Sequence, residues 1–282
     1  MKLVSTCIIT RNEEEFLEPC LQSIWDISDE ILIIDNNSTD KTLDIIYSFP
    51  QKKIILEKGI WNGKSPKERK RVISERRNRC LELAKGSWIL VVDSDEIYKK
   101  NELVWLLDVA ENTPGCMSIR YWSIQFWKDY DHIIVGPHWD DTQERFYRNV
   151  PGLNYNQFYF SVSEGKELLA KKYGKDFLNK IYWDKEKKIQ IYHYGMVKSP
   201  EKIRKKIYGY MIMDNPAVNE ENVEEFVSRH PYFSNNFDQP RHGPNGLWVA
   251  GSDTEKDREK VILFNGTHPE TMLETVQRKR LV

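Results

Sequence analysis

The run Trp88-Ile89-Leu90-Val91-Val92, followed at once by Asp93-Ser94-Asp95-Glu96, constrains the fold more than any other stretch. Five consecutive apolar residues leave no polar face, so a strand built from them has to be covered on both sides, as in a parallel sheet between helices. In sheets of that kind ligands gather beyond the carboxyl ends of the strands, which is where this segment delivers its acidic side chains.

The first 120 residues repeat the pattern: short β-branched runs alternate with amphipathic helical stretches, the signature of βα units. Strands are predicted over 3–10, 30–34, 53–57, 88–92 and 117–122. A helix is expected from 13 to 25, with Phe16, Leu17, Cys20, Leu21 and Ile24 on its buried face. The polar loop Asp35-Asn36-Asn37-Ser38-Thr39-Asp40 suits capping of a helix over 41–47. Residues 61–71, rich in Gly, Pro and Lys, read as a loop leading into a helix through Ser74 to Ala84 that Gly86 stops. A helix over 101–111 ends before the Pro114-Gly115 turn. Beyond about residue 125 the pattern loosens, leaving strand-like pieces at 144–148 and 188–193 and a basic helix at 200–213. This organisation predicts a catalytic domain over 1–213 and an accessory C-terminal region over 214–282 packed on it.

Charge and cysteine usage narrow the partners. With 42 basic and 43 acidic residues there is no global field to draw nucleic acid or a membrane surface, so no nucleic-acid partner is expected and binding has to come from a local site. Cys7, Cys20, Cys80 and Cys116 are too scattered for a zinc site or a disulfide scaffold and read as reduced, buried thiols. The opening MKLVSTCIITRNEEE meets charge too soon to be a signal peptide, and no stretch reaches membrane-spanning length. A soluble cytoplasmic protein is the expectation, with peripheral membrane contact left open.

Asp93 and Asp95 are alternate residues at a strand end, a spacing that turns two carboxylates toward one point. Hard oxygen ligands suit Mg2+ or Mn2+, and such an ion, bridging two phosphates, neutralises a leaving diphosphate without a proton. An Asp-x-Asp triplet is also an ordinary acidic turn. His193 follows the apolar strand Ile189-Gln190-Ile191-Tyr192 and precedes Gly195 and a run of cations, so it reads either as a third ligand or as a packed residue.

Four ordered pieces place the triplet in a context: Cys7-Ile8-Ile9-Thr10-Arg11-Asn12-Glu13-Glu14, Glu30-Ile31-Leu32-Ile33-Ile34-Asp35-Asn36-Asn37-Ser38-Thr39-Asp40, Arg77-Asn78 before Gly86, and Val91-Val92-Asp93-Ser94-Asp95-Glu96. Together they resemble family 2 glycosyltransferases of the GT-A fold, over about the first 100 residues. The resemblance implies an α/β fold with a seven- or eight-stranded, mixed but mainly parallel sheet flanked by helices, and a C-terminal extension. It implies a nucleotide-sugar donor, a UDP-sugar, and a glycan, lipid-linked or protein acceptor. Thr10, Glu13, Asp35 and Arg77 would contact the donor together with Asp93, Ser94 and Asp95, and Asp93, Asp95 and His193 would hold Mn2+ or Mg2+.

Each of these residues has a plainer reading. Asp35 starts a turn of the kind that caps helices whatever else it does. The stretch Lys67 to Arg79 carries six further Lys or Arg residues beside Arg77, which reads as a solvated helix face or as a nucleic-acid surface. His138-Trp139 reads as an acceptor platform or a structural loop, and His268 as a packing or capping residue.

Transfer with inversion needs a carboxylate to take the acceptor's proton. Related enzymes follow an Arg-aromatic-x-Arg strand with a short acidic motif, here Arg145-Phe146-Tyr147-Arg148 and then Val162-Ser163-Glu164, which makes Glu164 the first candidate. Ser163 stands where the family has a histidine, and Asp140 and Asp141 beside Trp139 are the alternatives. Rival functions are a nucleotidyltransferase, disfavoured by the lack of a Gly-rich, Arg-bearing loop after the first strand, and a non-catalytic nucleotide- or glycan-binding protein of the same fold.

Overall fold

The computed structural model describes residues 4–59, 66–113, 115–136, 142–156, 159–162, 181–214, 218, 221–234, 241–242, 248–249 and 260–280. Strands β1 (Val4–Thr10), β2 (Glu30–Asp35), β3 (Ile54–Lys58) and β4 (Trp88–Asp93) run parallel in the order β3-β2-β1-β4. The intervening helices are α1 (Leu17–Ile24), α2 (Thr42–Ser48) and α3 (Pro66–Leu83).

Alternation along these strands feeds two cores. Ile8, Ile33, Leu90 and Val92 pack on one face with Leu17, Leu21 and Ile24 of α1. Cys7, Leu32, Ile34, Ile89 and Val91 pack on the other with Cys80 of α3. Both faces are therefore covered, which is why β4 reads as an unbroken apolar run. All four cysteines are buried free thiols.

Beyond β4 lie β5 (Glu96–Ile97), helix α4 (Lys100–Asn112), β6 (Ser118–Trp127), β7 (His132–Val135) and β8 (Thr142–Arg148). β8 pairs antiparallel with β4 and β6, turning the sheet from parallel to mixed. After the small hairpin β9 (Leu153–Asn156) and β10 (Tyr159–Val162) come β11 (Ile181–Trp183) and β12 (Gln190–Met196). β12 lies parallel to β6 and antiparallel to β5. Helix α5 (Pro200–Asp214) follows, with α6 (Val223–Arg229) and α7 (Pro231–Ser234) sharing a core around Ile203, Ile207, Val223 and Val227.

Among the described residues the main sheet has eleven strands, where seven or eight were expected. Eight form the continuous path, and β5, β11 and β12 pair beside it; β12 answers the piece expected at 188–193, while β5 and β11 are too short for the apolar pattern to announce. One strand of that path, Lys260–Leu263, comes from beyond residue 213 and pairs with β7. Met272 and Val276 from the last helical segments enter the main core. Among the described residues no helix is long and apolar enough to cross a membrane.

Three local readings are corrected. The first helix begins at Leu17 rather than 13, because residues 12–14 are held by the neighbouring loop instead of by a helix. Ser38 Oγ accepts from the Asn12 amide, Thr42 Oγ1 from that of Glu13, and Asp40 Oδ2 from that of Glu14. In return Asn12 Oδ1 accepts from the Thr39 amide, and both Asn12 and Asn37 adopt the left-handed conformation that asparagine tolerates. Of the loop 35–40 expected to cap α2, Asp40 takes the Thr42 amide, while Ser38 and Thr39 turn to Asn12 instead. Finally, α3 starts at Pro66, inside the expected loop, where a first-turn proline needs no amide partner.

Candidate active site

The sheet register brings the expected residues to one edge. Thr10 lies opposite Asp35, and Ile9 opposite Asp93, so the carboxyl ends of β1, β2 and β4 open at the same level. Asp93 closes β4, and a two-residue turn through Ser94 and Asp95 leads into β5. β12 enters the site through pairing on both sides. His193 stands opposite Glu96 on β5 and opposite Gln125 on β6, with an irregularity in the ladder between His193 and Met196.

The two carboxylates of the triplet face different partners. Asp93 accepts from Arg77 Nη2 on Oδ1 and from Arg145 Nη2 on Oδ2, both at 2.8 Å. Arg145 also reaches Glu96 Oε1 at 2.5 Å, and Glu96 Oε2 accepts from the Asp93 amide at 3.0 Å. Asp95 Oδ1 lies 3.2 Å from His193 Nε2, while its Oδ2 accepts from Lys206 Nζ at 2.9 Å and lies 3.3 Å from Lys198 Nζ. Lys198 also donates to both oxygens of Glu13 at 2.6 Å, so the first loop and the start of α5 are joined through this site.

Burial and charge act against each other here. Burial pushes the Asp95 carboxyl up, but Lys206, Lys198 and His193 outweigh it and hold it well below the usual carboxylate range. Burial likewise raises Asp93, and Arg145 with Arg77 reverses this to a net lowering. Glu96 and Glu13 go the other way. For Glu96, burial and the nearby Asp93 charge prevail over Arg145; for Glu13, burial and Asp95 prevail over Lys198 and Lys206. The two aspartates of the triplet are thus shifted down while their neighbours Glu96 and Glu13 are shifted up.

Gly195 leaves room for the crowding around Asp95. A Cβ there would lie 2.5 Å from His193 Nε2 and 2.7 Å from Lys206 Nζ. With hydrogen in its place, both side chains converge on one carboxylate.

The expected nucleoside contacts divide. Asp35 is buried and makes the turn its plainer reading implies, accepting from the Ser38 amide at 3.0 Å and from Ser38 Oγ at 2.5 Å. Beside it, Thr10 Oγ1 and Asn36 Oδ1 are buried with no hydrogen-bond partner among the described residues. Glu13 sits with Lys198 near Asp95, and Ser94 Oγ donates to the Ile9 carbonyl at 3.4 Å. Arg77 lies over the Tyr155 ring at 4.7 Å, and Asn78 clamps the Tyr155 backbone through both ends of its amide.

The rest of the basic stretch is partly neutralised. Arg71 pairs with Glu75, and Arg79 with Glu57 and Glu82. His268 is a packing residue: its Nδ1 meets Tyr194 Oη at 2.7 Å, and its ring stacks on Phe126. Asp140, Asp141 and Glu164, the candidates for the base, lie outside the described residues, as do His138 and Trp139.

Sequence reasoning passed over Gln125 and gave Arg145 no role. Arg145 had a signal: in Arg145-Phe146-Tyr147-Arg148 alternate residues share a face. Phe146 stacks on Trp88 and Arg148 covers the same ring, which sends Arg145 to the opposite face, toward the carboxylates.

No cluster of three or more acidic, histidine or cysteine ligands forms among the described residues. The pair Asp95 and His193 nevertheless suits a divalent cation. Gln125 Oε1 faces His193 Nδ1 at 2.5 Å, which places a hydrogen on that nitrogen and makes Nε2, beside Asp95, the nitrogen that would meet a cation.

The model for glycosyl transferase family 2 matches residues 5–163, more than half of the chain. The chain belongs to glycosyltransferase family 2. Its mixed sheet, parallel through β3-β2-β1-β4 and flanked by helices, is the GT-A fold. Among its relatives, the SPbeta prophage-derived glycosyltransferase SunS of Bacillus subtilis is 39% identical over 107 residues, covering 37% of this chain and 23% of SunS. An uncharacterised glycosyltransferase of Rickettsia bellii is 27% identical over 204 residues, 69% of this chain and 60% of the relative. The matched segment thus spans about a quarter of SunS and well over half of the Rickettsia protein.

Two solved structures are also similar. The S. aureus TarS fragment 1–349 in complex with UDP superposes with a TM-score of 0.44 at 19% identity, over 82% of this chain and 72% of the fragment. The mannosyltransferase PcManGT from Pyrobaculum calidifontis in complex with GDP-Man and Mn2+ gives a TM-score of 0.45 at 12% identity, over 81% and 70% of the two chains.

Proposed function

We propose that this chain transfers a sugar from a nucleotide-diphosphate sugar, a UDP-sugar, to an acceptor hydroxyl with inversion, using Mn2+ or Mg2+. The observation that carries the reading is the environment of Asp95. One oxygen faces His193 Nε2 and the other faces Lys206 and Lys198, so a ligand pair for a dication and two cations suited to phosphate oxygens meet at one strand end.

Asp95 and His193 would hold the ion, with Asp93 beside them steadied by Arg77 and Arg145. A bound divalent cation supplies charge neutralisation at the departing diphosphate. Lys206 and Lys198, which offset Asp95 in the free protein, would be free to turn to phosphate oxygens with a dication bound. Buried Thr10 Oγ1 and Asn36 Oδ1 offer polar atoms to the nucleoside at the ends of β1 and β2.

The acceptor hydroxyl loses its proton to a carboxylate, Glu164 first and Asp140 or Asp141 as alternatives. Its oxygen bonds to the anomeric carbon from the face opposite the breaking bond, and the diphosphate leaves with that bond's electron pair. The acceptor is a glycan, a lipid-linked molecule or a protein side chain. The first test is a thermal-shift screen of nucleotide sugars with and without Mn2+. A rise in Tm that needs both components supports the reading, and no response to any donor in the presence of Mn2+ removes it.

A further inference from the structure

We propose that Gln125 is a positioning residue that fixes the tautomer of His193 with a hydrogen on Nδ1, so that Nε2 is the nitrogen offered beside Asp95 to a cation. The role in cation binding rests on reading Asp95 and His193 as the ion's protein ligands, whereas the tautomer lock stands on geometry alone. Ser123 and Gln125 are alternate residues on one face of β6, and both are buried. Gln125 lies directly opposite His193 in the parallel ladder with β12. Its Oε1 is 2.5 Å from His193 Nδ1, and its Nε2 donates to Ser123 Oγ at 2.8 Å.

In the observed placement the NH2 end of the amide meets Ser123 and the carbonyl end meets the ring. With the NH2 group turned to Ser123, only the carbonyl oxygen is left for the imidazole, and an amide oxygen accepts without donating. Nδ1 therefore carries a hydrogen, and Nε2, 3.2 Å from Asp95 Oδ1, is the nitrogen left for a cation. Gly195 keeps the space beside that nitrogen clear of a Cβ. A buried amide in a strand is costly without partners, and Gln125 meets that cost with one bond to Ser123 and one to the histidine. Histidine ligands are commonly oriented this way, through a hydrogen bond to the ring nitrogen that does not bind the metal.

The experiment compares wild type, Q125L and Q125E. The His193 ring is read by long-range 1H–15N NMR without metal, and Mn2+ affinity in the presence of UDP by electron paramagnetic resonance. Wild type and Q125E, which keeps an acceptor oxygen, should show Nδ1 protonated. Q125L should shift the ring toward the Nε2-protonated form and lose about 10- to 100-fold in Mn2+ affinity, with Q125E rescuing most of the loss. A Q125L ring that stays protonated on Nδ1 overturns the proposal, as does equal loss of affinity in both variants with an unchanged tautomer. Should Q125L fail to fold, Q125M is read in its place. If wild type binds no Mn2+ with UDP, the metal reading fails by itself, and the NMR arm still decides whether Gln125 sets the ring.

Discussion

His193 Nε2 lies 3.2 Å from Asp95 Oδ1, two residues that meet only because β12 pairs with β5 on one side and β6 on the other. If the pair holds a dication, His193→Ala removes one ligand and leaves Asp95 and the donor's own diphosphate. Mn2+ affinity in the presence of UDP should fall by about tenfold or more while the melting temperature changes little. Unchanged affinity would make His193 a structural residue.

Gly195→Ala tests the same convergence from below. The new methyl group would press on His193 Nε2 and Lys206 Nζ, the ends of movable side chains rather than backbone. The expected result is a well-folded protein whose UDP and Mn2+ affinities both fall, measured by calorimetry beside a urea titration. A large loss of stability with normal ligand affinity would contradict this account.

Arg145 bridges Asp93 and the almost wholly buried Glu96. Arg145→Met leaves Glu96 buried without its cation and should cost about 3 kcal/mol, the scale for breaking a buried pair from one side. Adding Glu96→Gln should recover part of that loss, because the uncompensated charge is gone. Urea unfolding of the single and double variants gives the answer. A single-variant cost under about 1 kcal/mol would mean that the pair behaves like an exposed one.

Asp95 also predicts a pH dependence. Its carboxyl is held below the usual range in the folded chain, so its ionised form stabilises the fold above the unfolded value of about 3.9. That contribution is lost as pH falls through the lower, folded value. The stability gap between wild type and Asp95→Asn should therefore be larger at pH 7 than at pH 3, by urea unfolding at each. A gap that does not change with pH would show that Lys198 and Lys206 do not set the carboxylate's charge.

Much of this was legible in the sequence because buried parallel strands leave apolar runs and their carboxyl ends leave polar ones. The apolar run put Asp93 at the carboxyl end of a buried strand for that reason, whereas Thr10 and Asp35, which share its level in the sheet, came from the family resemblance. The α1 face was legible too: Phe16, Leu17, Cys20, Leu21 and Ile24 are all buried. Its start was not, since residues 12–14 are fixed by side chains of another loop. β6 was cut short at 122 because Ser123 and Gln125 break its apolar alternation, and they break it to serve a histidine far along the chain. Contacts of this kind depend on register, which local patterning does not carry. Glu96 was read only as part of the acidic turn, although it is buried against Arg145.

The central claim is that Asp95 anchors metal-dependent binding of the donor. It is tested most directly by calorimetric titration of UDP into wild type and Asp95→Asn, each with Mn2+ and with a chelator. Wild type should bind UDP far more tightly with Mn2+, and Asp95→Asn should keep its fold by circular dichroism while showing the same weak affinity in both conditions. Metal-enhanced UDP binding in Asp95→Asn equal to that of wild type would contradict the account.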